Sequence, residues 1–187
     1  VVELGALLAR VNLIDVATEE EAVALVAERA AGLPEGTWIV GAGWDEGAWA
    51  NRYPDMELIS ERVPNHPVYM RGLHGFAGWG NRLAFELAGI TADTEAPTGG
   101  EIRKDARGAP TGLLLNRAVP LLDDAIPAPT NEQLQEQILD GLRDFPIFAS
   151  VPVHEAGASP ATLPAVALPE PAACLPLALS SLLHLLA

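Results

Sequence analysis

The stretch Val68-Tyr69-Met70-Arg71-Gly72-Leu73-His74-Gly75-Phe76-Ala77-Gly78-Trp79-Gly80-Asn81 predicts the centre of the fold. Its apolar start is typical of a buried strand that breaks at Gly72 and delivers His74 into a glycine- and aromatic-rich turn. A helix is expected to start near Asn81. Loops at strand ends often carry reactive groups on a rigid scaffold, so His74 is a candidate proton shuttle, substrate hydrogen-bond donor or metal ligand. The alternative is a structural histidine that holds the turn through backbone hydrogen bonds.

Length, charge and cysteine content narrow the class of protein. The length of 187 residues favours one globular domain or one and a half. The net charge of -14 disfavours nucleic acid and anionic membranes as partners. Cys174 is the only cysteine, so an internal disulfide or a cysteine-based zinc site is excluded. We expect a cytoplasmic protein, since one cysteine fits a reducing compartment and no signal peptide opens the chain.

Local signals predict an alternation of helices and strands, and therefore the α/β class. Capping boxes at Thr18 and Thr130, each with an acidic or amide side chain three residues later, predict two helix starts. Gly89 is expected to end the helix that starts near Asn81. The remaining predictions are strands over residues 37–43 and 149–154, helices over 56–62 and 116–124, and a hairpin of strands 101–104 and 111–115.

Other candidate site residues also lie near strand ends. Asp45 follows the strand over residues 37–43 and is either a site carboxylate or part of a solvated acidic loop. The four tryptophans lie between residues 38 and 79 and are either a pocket wall or core. His154 ends the strand over residues 149–154, where α/β barrels place active-site groups. His66, between Asn65 and Pro67, is expected to be a surface turn residue.

The end of the chain differs in composition from the rest. After Glu155 the only charged residue is Glu170, and five prolines occur between residues 160 and 176. A domain rarely ends on an exposed apolar segment with so little charge. We therefore expect one domain over residues 1–158 and an atypical apolar, proline-rich tail over residues 159–187, for which a truncated gene or a shifted reading frame would account.

Several landmarks, taken in order, resemble amidohydrolase family 3, the metal-dependent hydrolases that include N-substituted formamide deformylase. The landmarks are Trp38-Ile39-Val40-Gly41-Ala42-Gly43-Trp44-Asp45, the stretch from Pro67 to Arg71 leading to His74, Trp79-Gly80-Asn81, Ala88-Gly89-Ile90-Thr91, Gly99-Gly100-Glu101-Ile102, Asp105-Ala106-Arg107-Gly108-Ala109-Pro110-Thr111-Gly112 and Val153-His154-Glu155-Ala156-Gly157. They span roughly residues 15 to 160. No single landmark is specific, but the ordered set is.

The resemblance implies a hydrolase of carbon–nitrogen bonds other than peptide bonds, acting on a small amide substrate with a divalent metal, zinc being expected. The implied fold is a TIM-like (β/α)8 barrel of about 250 residues, of which this chain would be an incomplete fragment with its inserted α/β segment. His74 would be catalytic, and Trp44, Asp45, Trp79 and His154 would bind substrate.

The metal ligands of the family have no counterpart in this chain. No His-x-His pair occurs in it, so that motif is expected just upstream of Val1, and the later ligands beyond residue 187. No residue of the chain is assigned to the metal, and the chain alone is expected to be inactive. A non-catalytic α/β small-molecule-binding or interaction module is the alternative hypothesis.

Overall fold

The computed structural model describes residues 10–49, 53–130, 133, 153–155 and 179–181. Its largest unit, Arg10–Pro127, contains one mixed six-stranded sheet with helices. The strands are β1 (Val11–Asn12), β2 (Ile39–Trp44), β3 (Val68–Gly72), β4 (Ala77–Gly80), β5 (Gly100–Lys104) and β6 (Pro110–Asn116). The helices are α1 (Glu19–Ala31), α2 (Met56–Arg62), α3 (Arg82–Leu87) and α4 (Pro120–Asp123).

The sheet has the strand order β1-β2-β3-β4-β6-β5. Strands β1, β2 and β3 are parallel, whereas β4, β6 and β5 continue the sheet with antiparallel pairs. The predicted α/β class is therefore confirmed as a mixed α/β sheet. The complete barrel stays a prediction.

Hydrophobic clusters cover both faces of this sheet, because side chains alternate between faces along each strand. Val68 and Met70 of β3 point into the cluster that includes α1, while Tyr69 points into the cluster that includes α3 and α4. In β6, Leu113 packs in the cluster that includes α1, and Leu114 packs in the cluster that includes α3 and α4. A strand buried on both faces reads as a continuous apolar run, as residues 68–70 do.

Most local signals formed the expected elements. The Thr18 hydroxyl accepts a hydrogen bond from the Glu21 amide at 3.2 Å, and the same pattern joins Thr130 and Gln133 at 3.2 Å. Gly89 has a φ of 68° after α3, a left-handed conformation that glycine adopts without strain. The β5–β6 hairpin and α2 are also confirmed. The extent of the helix after Thr130 lies outside the described residues.

Four expectations about this unit are wrong. Residues 77–80 form strand β4 rather than part of a turn, and Gly72 continues β3, paired with Trp44. The helix expected over 116–124 is only the four-residue α4, since Asn116 has a φ of 52° and ends β6 in a turn. His66 is buried instead of lying on the surface.

A second unit contains the described residues after Pro127. Strands β7 (Val153–Glu155) and β8 (Leu179–Ser181) form a parallel pair in which His154 is opposite Ser180. The rest of the predicted strand over residues 149–154 lies outside the described residues. In the described part of the chain, no helix is both long and apolar enough to cross a membrane.

Candidate active site

The candidate site lies where β1, β2 and β3 end. Carboxyl ends of parallel strands lie at one edge of a sheet, and ligands of open α/β sheets bind outside that edge. Trp44 is paired with Gly72, and the Leu73 amide donates a hydrogen bond to the Trp44 carbonyl at 2.8 Å. Asp45 and His74 therefore follow directly on neighbouring strands. The structure brings these two predicted site residues to the same edge.

His74 is exposed at the tip of the β3–β4 hairpin. The turn is closed by the backbone, because the Gly75 amide donates to the Gly72 carbonyl at 3.0 Å and Gly75 takes a φ of 74°. Among the described residues, none forms a hydrogen bond with the His74 ring. The alternative of a histidine that holds the turn together therefore has no contact to support it, and the catalytic role of His74 stays a prediction.

Asp45 is half-buried and stabilises the turn that follows β2. One of its carboxylate oxygens, Oδ1, accepts a hydrogen bond from the Gly47 amide at 2.8 Å. Its carbonyl accepts from the amides of Ala48 at 3.1 Å and Trp49 at 3.3 Å. Asp45 is thus anchored at the edge of the sheet, and its predicted contact with substrate stays a prediction.

Three of the four tryptophans form an aromatic cluster in the core. Trp44, Trp49 and Trp79 are buried, with ring centroids 5.7 to 6.5 Å apart. Each indole N–H donates to a backbone carbonyl: Trp44 to Met70, Trp49 to Val16 and Trp79 to Asp55. Of the two alternatives, core and pocket wall, the structure shows core for these three. The predicted contact of Trp44 and Trp79 with substrate stays a prediction.

His154 lies in strand β7 of the second unit. Its predicted substrate-binding role rests on its position at a strand end, and that role stays a prediction. Within the described ranges, no three or more His, Cys, Asp or Glu side chains are grouped so that they could hold a metal ion. No metal ligands are therefore assigned among the described residues, and no catalytic step is assigned to a metal.

Asn81, which the sequence indicates only as the start of a helix, has a larger role in the structure. Its side chain is fully buried, and its Oδ1 accepts hydrogen bonds from the Val68 and Ala84 amides, both at 3.0 Å. Its Nδ2 donates to the carbonyls of Val63 at 3.1 Å and His66 at 2.8 Å. Asn81 thus joins β3, α3 and the chain before β3, and so supports the hairpin that carries His74. A signal was available, because asparagine is a favoured helix N-cap.

Comparison with known proteins identifies the family. The model of the amidohydrolase family matches residues 2–180. The chain belongs to the amidohydrolase family. This match extends past residue 158, so the expected boundary between domain and tail stays a prediction.

Two curated proteins and one solved structure illustrate the similarity of this amidohydrolase chain. Protein LONG AFTER FAR-RED 3 of Arabidopsis thaliana is 35% identical over 118 residues, covering 63% of this chain and 20% of that protein. The N-substituted formamide deformylase of Arthrobacter pascens is 34% identical over 110 residues, covering 58% of this chain and 20% of that protein. The chain spans about a fifth of the length of these relatives.

The structural similarity is broader but supports the fold alone. An uncharacterised metal-dependent hydrolase from Pyrococcus furiosus aligns with a TM-score of 0.68 at 21% identity, over 96% of this amidohydrolase chain and 35% of the other. The mixed α/β sheet is therefore an arrangement that also occurs within a larger hydrolase.

Proposed function

We propose that this chain contributes one wall of the active site of a metal-dependent amidohydrolase that cleaves carbon–nitrogen bonds other than peptide bonds. Membership of the amidohydrolase family is the observation that carries the proposal. The similarity to the N-substituted formamide deformylase of Arthrobacter pascens supports a formamide or similar small amide as substrate. The complete enzyme would have a TIM-like barrel and act in the cytoplasm, in keeping with a single cysteine.

His74 and Asp45 supply what this wall can do chemically. An exposed imidazole can donate a hydrogen bond to the amide carbonyl or transfer a proton to the leaving amine. The anchored Asp45 carboxylate, on the neighbouring strand, can accept a hydrogen bond from the amide N–H. His74 would thus be catalytic and Asp45 would orient the substrate.

The divalent metal, zinc by resemblance, would be held by residues other than those described. A catalytic zinc needs about three protein ligands together with a bound water. Since the described residues offer no such group, we assign the ligands to parts of the enzyme outside them. His154 stays in this proposal as a substrate-binding residue at the end of a strand.

The experiment is to sequence the gene on both sides of the coding region for this chain and to produce the protein that the whole gene encodes. We expect a His-x-His motif shortly before Val1, one or two divalent metal ions per chain by elemental analysis, and release of methylamine from N-methylformamide. A folded, metal-loaded protein that hydrolyses no formamide, acetamide or urea would contradict the proposal. A gene without the motif would favour the non-catalytic α/β binding module.

A further inference from the structure

Large exposed apolar side chains are concentrated at the edge of the sheet that carries His74. Five are strongly exposed among the described residues: Ile14, Leu25, Leu73, Phe76 and Leu87. Leu25 lies on α1 and Leu87 on α3, whereas the other three follow β1 or β3. We call Ile14, Leu73 and Phe76 the apolar rim. Their exposed fractions are 55%, 46% and 63%.

The backbone holds the apolar rim in place. Leu73 donates its amide hydrogen to Trp44, and the Phe76 carbonyl accepts a hydrogen bond from the Asn116 amide at 2.7 Å. On the other side of β2, a Cβ atom added to Gly43 would lie 2.7 Å from Ile14 Cγ1, so Ile14 rests against the end of β2. Neighbouring strands are about 4.8 Å apart, so the rim spans about 10 Å, the size of a small organic molecule.

The charges at this edge restrict the kind of ligand. The chain has a net charge of -14, yet residues 72–81 contain no charged side chain. Asp15 follows Ile14, and Asp45 and Glu46 follow β2. Carboxylates on the neighbouring loops disfavour an anion, and the uncharged turn offers apolar surface on both sides of an imidazole. A neutral molecule with a polar group and an apolar substituent fits this arrangement.

We infer that Leu73 and Phe76 are specificity-determining residues that receive the apolar N-substituent of a neutral amide whose carbonyl lies beside His74. Ile14 contacts the far end of that substituent. The inference rests on the proposed function, since it names the substrate class of the same site. It predicts a preference for long apolar substituents over short or anionic ones.

The test is a titration of the isotope-labelled 187-residue chain by nuclear magnetic resonance with three amides. The amides are N-hexylformamide, N-methylformamide and N-formyl-6-aminohexanoate, which has a carboxylate at the end of a chain of similar length. We expect shifts confined to residues near the apolar rim. The substituent of N-hexylformamide has five more methylenes than that of N-methylformamide. Because part of this additional apolar surface would be buried against the rim, the hexyl compound should bind at least about tenfold more tightly. The carboxylate compound should bind at least about tenfold more weakly than the hexyl compound.

Variants separate the apolar rim from apolar surface in general. Leu73→Ser with Phe76→Ser should reduce the affinity for N-hexylformamide to that for N-methylformamide. Leu87→Ser removes a side chain that is 59% exposed on α3 and should leave the affinity unchanged. Equal affinities for the three amides, no binding of any, or an equal loss in Leu87→Ser would overturn the inference. So would a dimer in sedimentation that Phe76→Ser dissociates, since a second copy would then cover the rim.

Failure of this inference is distinguishable from failure of the proposed function. The titration measures binding to the 187-residue chain and needs neither metal nor turnover. Suppose that the protein from the whole gene hydrolyses the amide but the titration of the 187-residue chain shows no substituent preference. The proposed function would then be retained and the role of the apolar rim rejected. Binding with the expected preference, but no hydrolysis by the protein from the whole gene, would retain the role of the apolar rim and reject the proposed function.

Discussion

At the scale of the residue, Asn81 is a buried polar side chain whose loss should strongly reduce stability. Asn81→Ala removes four buried hydrogen bonds and leaves two amides and two carbonyls without their partner. An unsatisfied buried backbone group costs about 1–3 kcal/mol, and partial relaxation lowers the sum. We expect the free energy of unfolding to fall by about 3 kcal/mol or more in urea denaturation.

Asn65→Ala is the matched control for that experiment. Asn65 is exposed and its amide donates to the Glu35 carboxylate at 2.7 Å, a surface contact of small value. Its loss should change stability by less than about 0.5 kcal/mol. Equal effects of the two substitutions would show that the buried amide of Asn81 does not hold this region together.

Tyr69 presents the opposite case, a buried polar group whose removal should be harmless. Its hydroxyl is buried and has no hydrogen-bond partner among the described residues. Burial raises the pKa of this hydroxyl, and the nearby Asp123 carboxylate raises it further. Because an unsatisfied buried hydroxyl costs about 1–3 kcal/mol, Tyr69→Phe should leave the free energy of unfolding unchanged or increase it.

Tyr53→Phe is the control, because it also removes a tyrosine hydroxyl while the aromatic ring stays. Arg103 Cζ lies 4.8 Å from the centroid of the Tyr53 ring, and a phenylalanine ring would keep that contact. A loss of more than about 1 kcal/mol in Tyr69→Phe would indicate that the hydroxyl donates a hydrogen bond to Asp123. Both variants can be compared by urea denaturation at one pH.

His74→Ala tests the catalytic assignment in the protein that the whole gene encodes. Loss of a group that transfers a proton should lower kcat/KM for N-methylformamide by at least about tenfold, without changing stability, because the ring is exposed. His74→Gln should not restore the rate, since an amide cannot transfer the proton. An unchanged kcat/KM would return His74 to a surface role.

At the scale of the element, the start of α1 should make stability depend on pH. Glu19 begins α1, and its side chain lies near Asp55, the N-cap of α2. Partial burial is the main cause that raises the pKa of Glu19 from 4.5 to about 7, and repulsion by the Asp55 carboxylate is the second. Between these values the folded state keeps a proton that the unfolded state has lost. The contribution of Glu19 to the free energy of unfolding is therefore fully present below about pH 4.5 and is lost as the pH rises to about 7.

Glu19→Gln should remove this decline, which is on the order of 1 kcal/mol once solvent screening of a partly exposed group is allowed for. The measurement is the free energy of unfolding at pH 5 and pH 8. Glu20→Gln is a matched control, because Glu20 is exposed in the same helical turn and loses the same interaction with the helix dipole. The same pH dependence in both variants would refute the assignment to Glu19.

Elements with local signals were predictable, and those that depend on distant partners were not. Thr18 and Gly89 mark helix ends through contacts within a few residues, so their roles can be read from sequence. Strand β4 could not be, because its two glycines are typical of a turn. Gly78 belongs in a strand because the Tyr69 ring packs against it, and a Cβ there would lie 2.8 Å from that ring.

In the candidate site, too, features with local signals were predictable and features that depend on distant contacts were not. The position of His74 after a strand was predictable, since an apolar run followed by glycine is a local pattern. The burial of His66 was not, because its ring contacts the carbonyl of Thr37, 29 residues earlier, at 3.1 Å. The tryptophan cluster likewise required the pairing of β2 with β3 and of β3 with β4.

At the scale of the whole molecule, the ordered landmarks predicted the family more firmly than any single residue predicted chemistry. The landmarks from Trp38 to Gly112 each correspond to a strand, a helix cap or a turn of the mixed sheet, so together they record a fold. Chemistry depends on the site rather than on the fold. The chain spans about a fifth of its curated relatives and can therefore share their sheet without containing their complete site.

The 187-residue chain alone should therefore bind no catalytic metal tightly and hydrolyse no amide. Lewis-acid and water-activating chemistry requires a metal fixed by about three ligands, and the described residues contain no such group. We expect well below one zinc per chain by elemental analysis after dialysis against excess zinc and then buffer, and no methylamine from N-methylformamide. The protein from the whole gene, treated identically, is the positive control. One zinc per chain together with turnover by the 187-residue chain would show that its own residues complete the site.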